Sequence, residues 1–286
     1  MTIFARLYEH ANFDGRSSFH ILSSSPLRTL KLVPKSALDT LDMNDQTSSL
    51  TITATVSEKG GFIILFQNPS YQGRYAMFPC TPGQTNETSQ LSSIDFDERT
   101  SSAMLVRRFT NECPPIPISN LLGSSFKEAM QDSLGSIDVS IGSGRFGTVE
   151  DVSNLEPIYT WDILPDFSPS RMYIYVRMPC KMVLESWFDY DFEARLWIYL
   201  YIDRGGILRG YVDWYGVWVE GGILSDNIAD ALMRSLAFTA GSANRPISEA
   251  LGAWESISFR RLYYLPGRDD IGHVNDGVRL VLVTEL

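Results

Sequence analysis

A spaced pattern that occurs twice within the first 110 residues constrains this chain more than its composition does. In "ARLYEHANFDGRSSF", Tyr8, Phe13 and Gly15 read aromatic-x4-aromatic-x-Gly, followed by Arg16. In "IILFQNPSYQGRYAMF", Phe66, Tyr71 and Gly73 repeat that spacing, followed by Arg74. Each copy then reaches a short polar element. "NDQTSS" begins at Asn44, 29 residues after Gly15, and "DERTSS" begins at Asp97, 24 residues after Gly73. Two matched features in the same order, twice, mark an internal duplication.

The local pattern around both copies is that of strands. Leu50, Ile52, Ala54 and Val56 alternate with Thr51, Thr53 and Thr55, the period-two signature of a half-buried strand rich in β-branched residues. Ile3, Ala5 and Leu7 alternate ahead of the first hairpin, and Ile63 and Leu65 ahead of the second. The glycine two places after the second aromatic suits a fold-back that requires positive φ. Short strands separated by Ser, Pro, Asn and Gly turns predict a small sandwich.

The hairpin combined with (Asn/Asp)-(Asn/Asp)-x-x-(Ser/Thr)-Ser resembles the βγ-crystallin motif, two copies of which make one domain of that family. The resemblance covers roughly residues 1–110. It implies an all-β sandwich of two Greek keys and, as in microbial members, two calcium ions, each held between the two motifs. The residue chemistry agrees, because calcium takes six to eight oxygens from carboxylates, carbonyls, hydroxyls and water. "NDQTSS" offers the side-chain oxygens of Asn44 and Asp45, the Gln46 carbonyl and the Ser48 hydroxyl. "DERTSS" offers Asp97, Glu98, the Arg99 carbonyl and Ser101. The resemblance adds a backbone carbonyl just after the first hairpin aromatic, which falls on Glu9 and Gln67. Glu98 departs from the pattern, which prefers Asn or Asp there, and its extra methylene displaces the carboxylate, so that site is expected to be weakened or lost and the chain to hold one or two calcium ions. With one or two carboxylates per site, affinity is expected between micromolar and sub-millimolar.

Charge narrows the partners. The formal net charge is −10, yet residues 1–110 hold ten basic and ten acidic residues, so the acidic excess lies beyond them. That argues against nucleic acid, whose phosphates demand a basic surface. With 44% hydrophobic and 20% charged residues, a packed core is expected. Cys80, Cys113 and Cys180 make neither a disulfide framework nor a zinc pattern. The start "MTIFARLYEH" lacks a basic segment followed by a long apolar one, and no run approaches the ~20 apolar residues of a membrane span. The expectation is a soluble protein, cytoplasmic or exported by a non-classical route.

Beyond residue 110 the sequence is richer in shape than in chemistry. Residues 111–154 read as a linker with a short helix over Ser125–Leu134, whose Phe126, Ala129, Met130 and Leu134 share a face. "GSGRFG" has the GxGxxG spacing of a dinucleotide loop, but no helix pattern follows it. Residues 155–286 hold all six tryptophans and read as an α+β domain, with an antiparallel sheet and two or more helices. "MYIYVRM" and "KMVLESWFDY" predict two strands, and "ARLWIYLYIDRGGILRGYVDWYGVWVEGG" predicts two more joined at Asp203–Gly206. One helix is expected from Ser225 or Asp226, a second near Pro246, and a closing strand in "GVRLVLVTEL".

Three groups of residues there carry chemical interest. Asp189, Asp191 and Glu193 fall on one side of a strand, a placement suited to acid–base work, to a second metal, or to a solvated strand face or hairpin end. Asp269, Asp270, His273, Asn275 and Asp276 gather in one oxygen-rich loop, suited to a metal or a catalytic group and equally to an ordinary polar loop. Trp197, Tyr199, Tyr201, Trp214 and Trp218 make an aromatic face suited to core packing, sugar stacking or lipid contact. The sequence therefore predicts a two-domain calcium-binding protein, in which a βγ-crystallin-like sandwich over 1–110 carries or targets the α+β domain. The alternatives are a toxin or effector, including an enzyme, acting through the second domain, a glycan- or lipid-binding module, and a protease inhibitor. A protein partner of the second domain is also left open.

Overall fold

The computed structural model describes residues 2–23, 29–55, 59–141, 145–163, 171–184, 189–220, 225–267, 273–274 and 277–284. In chain order the elements are β1 (Ile3–Tyr8), β2 (Ser17–Leu22), β3 (Leu30–Val33), α1 (Lys35–Asp39), β4 (Ser49–Ala54), β5 (Gly61–Asn68), β6 (Gln72–Cys80), β7 (Thr85–Thr88), β8 (Ser102–Arg107), β9 (Ile116–Pro117) and α2 (Ile118–Gly135). They continue as β10 (Asp138–Ile141), β11 (Arg145–Glu150), β12 (Ile158–Asp162), β13 (Tyr173–Leu184), β14 (Tyr190–Ile202), β15 (Leu208–Val219), α3 (Ser225–Gly252), β16 (Phe259–Pro266), β17 (His273–Val274) and β18 (Val278–Thr284). The result is a β-rich fold of several antiparallel sheets with three helices among the described residues.

The chain divides into two compact units. The first holds Met1–Pro115 together with Arg260–Leu286, and the second holds Ile116–Phe259. This differs from the division read from the sequence in two ways. Residues 111–154 are mostly structure of the second unit rather than a linker, and the strands after residue 259 belong with the first.

In the first unit one sheet has the order β2-β1-β4-β7, and another has β17-β6-β5-β8-β3. Each duplicated half thus keeps three of its strands together and gives its third strand, β3 or β7, to the other sheet. Both sheets feed one core, with Ile3, Leu7, Leu50 and Ile52 from the first meeting Ile63, Leu65, Phe78 and Leu105 from the second. The β2 strand alternates exposed and buried along its length, as one wet face requires. The β8 strand is buried at every position, and so are Ile64, Phe66, Tyr75 and Met104 on the second sheet's outer face. That is why "IILF" and "AMLV" read as continuous apolar runs.

The second unit is built on a sheet of order β10-β11-β13-β14-β15, with β12 also on β13. Even-numbered residues of β14 (Phe192, Ala194, Leu196, Ile198, Leu200) are buried, and α3 packs against β15 and α2. A Cβ on Gly210 would lie 2.4 Å from Leu200 Cδ2 and 3.0 Å from Leu251 Cδ1, so glycine is what lets α3 approach this closely. The helix predicted over Ser125–Leu134 lies inside the longer α2, which is interrupted at Gly123 (φ 69°). Two sequence expectations are corrected. The two strands separated near Pro179 are one, β13. Pro179 sits where the neighbour changes from β12, paired through Arg177, to β11, paired from Lys181, and such a gap tolerates a residue without N–H. The two helices around Pro246 are also one, because fully buried Ala243 and Ile247 on either side hold α3 through the missing backbone bond. After "GSG", whose residues 142–144 lie outside those described, comes the strand β11, not the helix that a dinucleotide-binding loop opens.

One buried ionisable group makes the first unit acid-sensitive. Burial lowers the His20 pKa to about 4, assisted by the charge of Lys31, and His20 Nε2 lies 3.0 Å from Ser18 Oγ. Below the unfolded value of 6.5 the unfolded chain takes up the proton first, so stability falls as pH drops from 6.5 towards 4. Urea melts across that range should show a loss of about 3 kcal/mol, which His20→Gln removes.

Candidate metal centre

The two hairpins are copies in geometry as well as in sequence. Tyr8 and Phe13 meet edge-on with ring centroids 5.6 Å apart, and Phe66 and Tyr71 do the same at 5.9 Å. Asn12, Phe13 and Gly15 have φ of 59°, 63° and 77°; Ser70, Tyr71 and Gly73 have 61°, 62° and 80°. Glycine is required at the third place, because a Cβ on Gly15 or Gly73 would fall 2.8 Å from His10 Cδ2 or 2.7 Å from Asn68 Nδ2. Left-handed non-glycine residues cost energy and persist only where neighbours over-determine them.

Those neighbours are the second serines of the two polar loops. The Phe13 N–H donates to Ser49 Oγ at 3.0 Å, and Ser49 Oγ donates to the His10 carbonyl at 2.6 Å. The Tyr71 N–H donates to Ser102 Oγ at 3.1 Å, and Ser102 Oγ donates to the Asn68 carbonyl at 2.8 Å. The first serines bind the hairpins by backbone, Ser48 N–H to the Tyr8 carbonyl and Ser101 N–H to the Phe66 carbonyl, both at 2.9 Å. This sets each loop beside Glu9 or Gln67, the next residue along.

The loops also hold each other. Asp45 N–H donates to the Thr100 carbonyl at 2.9 Å, and Glu98 N–H donates to the Thr47 carbonyl at 3.1 Å. Asp45 and Glu98 are both left-handed, with φ of 53° and 50°. Across this exchange Ser101 Oγ donates to Asp45 Oδ1 at 2.8 Å, joining a hydroxyl of the second copy to a carboxylate of the first. The reverse pair, Ser48 and Glu98, makes no such bond among the described residues. Asn44 Nδ2 donates to Asp45 Oδ2 at 3.2 Å. Asn44 Oδ1, Asp97 Oδ1, Thr47 Oγ1 and Thr100 Oγ1 are buried without a partner, again in matched pairs. Partnerless buried oxygens are costly and rare, and a hard cation is one group that satisfies them.

A second duplicated contact ties hairpin to loop. Arg16 bridges the Glu9 carboxylate (Nη2 to Oε1, 2.7 Å) and Asp42 (Nη1 to Oδ2, 3.0 Å). Arg74 reaches Asp95 at 2.7 Å, and Arg99 reaches Asp95 at 3.0 Å. Asp42 and Asp95 are left-handed and stand three residues before Asp45 and Glu98. The Arg16 side chain, with its own N–H, holds the Glu9 carboxyl at about 2. Glu9 is thereby engaged at its side chain, leaving its carbonyl as the group the resemblance assigns to a metal. Sequence reading passed over Ser49, Ser102, Asp42 and Asp95; their identical offsets in the two copies were the available signal.

The other predicted groups fare differently. Asp189 pairs with Lys181 at 2.8 Å, and Glu193 pairs with Arg195 at 2.7 Å and Arg177 at 3.6 Å. Asp191 makes no ion pair among the described residues and lines a concavity of about 420 Å³. Asp269, Asp270, Asn275 and Asp276 lie outside the described residues; the His273 backbone pairs with Tyr75 in β6. Among the described residues no three His, Cys, Asp or Glu side chains gather as a metal site. A calcium set drawn from carbonyls and hydroxyls is not of that kind.

No family model matches the chain, and no curated protein matches it. Among solved structures, one titled "Crystal structure of lipopolysaccharide binding protein" aligns at 13% identity and a TM-score of 0.21. The alignment covers 61% of this chain and 50% of that one, so the chain spans half of that structure. A likeness at that score carries no argument for fold or ligand. No described helix is long and apolar enough to cross a membrane.

Ser49→Ala and Ser102→Ala should each cost about 1–3 kcal/mol in urea melts, since each leaves a hairpin N–H and a carbonyl without a partner.

Proposed function

We propose that the first unit is a calcium-binding Greek-key sandwich of the βγ-crystallin type, in which calcium sets the stability of the fold that carries the second unit. The exchange of β3 and β7 between the two sheets supports the Greek-key reading, with the C-terminal strands as an addition to it. The observation that carries the calcium reading is the meeting of Asp45 Oδ1 and Ser101 Oγ across the two loops. One site would be held by Asp45, Ser101 and the carbonyls of Arg99 and Gln67. The other would be held by Glu98, Ser48 and the carbonyls of Gln46 and Glu9. Asn44 and Asp97 contribute side-chain oxygens beside them. Bound calcium would supply a hard divalent charge to oxygens that otherwise lack partners.

The two sites are unequal on this reading. Asp45 already reaches its serine from the other copy, whereas the longer Glu98 does not. A ligand that binds only the folded state stabilises it by mass action, about 2.7 kcal/mol at a hundredfold excess over Kd. Calcium titration of the full chain by calorimetry should show two unequal sites and a rise in Tm. Asp45→Asn should weaken the tighter site at least tenfold, and Glu98→Asp should strengthen the weaker one. No heat together with an unchanged Tm would refute the proposal.

A further inference from the structure

The second unit turns one face of its sheet to α3, no described helix packs on the other, and that open face is ordered in rows across the strands. Tyr175, Trp197 and Trp214 stand side by side in register on β13, β14 and β15. Tyr199 and Tyr211 form the next row, with the Tyr173 ring 5.7 Å from Tyr199. On the other side of the Trp197 row the side chains change character, to Arg177 and Arg195 opposite Gly216, and beyond them Glu193 opposite Trp218. The rings are held in place. Tyr175 stacks on Trp197 at 4.8 Å, Trp197 Nε1 donates to Asp162 Oδ2 at 2.8 Å, and Tyr173 OH donates to Asp213 Oδ2 at 3.0 Å. Exposure is greatest on β15, where Tyr211, Trp214 and Trp218 are 37%, 47% and 48% exposed. Folding does not need these rings outward, because Leu196, Ile198 and Leu200 already supply the buried face.

We propose that this face binds a neutral saccharide chain, with Trp214 and Trp218 as stacking platforms and the concavity of about 420 Å³ beside Trp218 receiving one end. Nucleic acid, lipid and an added peptide strand fit this face less well. Nucleic acid and anionic lipid need a basic surface, whereas Asp151, Asp191 and Glu220 line the concavity without an ion pair among the described residues. A bilayer core would have to bury Arg177, Arg195 and Glu193, which stand in the middle of the face. An extended peptide adding to the sheet needs a free strand edge, and the β15 edge is engaged at Val212, whose N–H donates to Asn244 Oδ1 at 2.7 Å. A saccharide suits what remains. Its C–H faces lie on rigid rings, and its hydroxyls donate to the unpaired carboxylates and accept from the guanidiniums. The guanidinium of Arg195, 5.8 Å from the Trp218 ring centroid, sets a hydrogen-bond donor beside a stacking platform. By the strand rise of about 3.3 Å per residue, Trp214 and Trp218 stand roughly 13 Å apart, so an oligosaccharide rather than a single sugar spans them.

The test uses the full chain and a panel of insoluble and soluble neutral polysaccharides: cellulose, chitin, β-1,3-glucan, xylan and mannan. Retention on one or more of them, with a shift in tryptophan emission, is expected. Trp214→Ala and Trp218→Ala should each weaken retention at least tenfold without lowering Tm, and Asp45→Asn should leave it unchanged. The last arm separates this surface from the calcium site, since either can fail alone. Absence of retention across the panel, equal retention by the Trp214→Ala/Trp218→Ala double variant, or binding to phosphatidylcholine/phosphatidylglycerol vesicles in place of polysaccharide would each overturn the proposal.

Discussion

A seryl hydroxyl that accepts from one backbone amide while donating to a nearby carbonyl is a modest interaction, yet the first unit closes around two of them. Ser49 and Ser102 each reach from the start of a strand into a hairpin whose second aromatic and its predecessor have left-handed backbone. Without that reach, the Phe13 and Tyr71 N–H groups and the His10 and Asn68 carbonyls lose their partners, and each left-handed turn loses its tie to the strand that follows the polar loop. With it, the following loop is set against the hairpin, and the two loops come within hydrogen-bond distance of each other. The exchange between Asp45 and Thr100, and between Glu98 and Thr47, follows from that placement. The candidate metal centre is therefore a consequence of how the fold closes rather than an addition to its surface.

Much of the first unit could be read from the sequence because its signals are local and doubled. The alternation of Leu50, Ile52 and Ala54, the spacing of Tyr8, Phe13 and Gly15, and the Ser-Ser pairs each report on a few adjacent residues, and each occurs again. The roles of the two serines were harder to separate, since a hydroxyl suits a calcium ligand and a backbone staple equally well. Only the positions of the His10 and Asn68 carbonyls distinguish Ser49 and Ser102 from Ser48 and Ser101. The second unit hid more. Pro179 and Pro246 are strong local breakers, and in both places long-range packing overrides them. The assignment of β16 to β18 to the first unit depends on contacts more than a hundred residues away, which no local pattern records.

The two faces of the second unit's sheet illustrate the same limit from the other side. Strict alternation of Leu196, Ile198 and Leu200 with Trp197, Tyr199 and Tyr201 showed that the strand has two unlike faces. Which one α3 covers became visible only in the fold, and with it the fact that aromatic, basic and acidic side chains are sorted into successive rows on the open side. The chain thus joins a unit whose polar groups converge inward, on two small oxygen-lined loops, to one that presents its chemistry outward on a broad sheet.

The central claim is that the two polar loops form calcium sites shared between the duplicated halves. It is tested most directly by a crystal structure grown with calcium, or with a lanthanide in its place, using anomalous scattering to locate the ion. The account requires a peak within about 2.3–2.6 Å of Asp45 Oδ1 and Ser101 Oγ, with their mutual hydrogen bond replaced by bonds to the ion. Clear density for both loops with the Ser101–Asp45 hydrogen bond intact and no peak at either loop would contradict it.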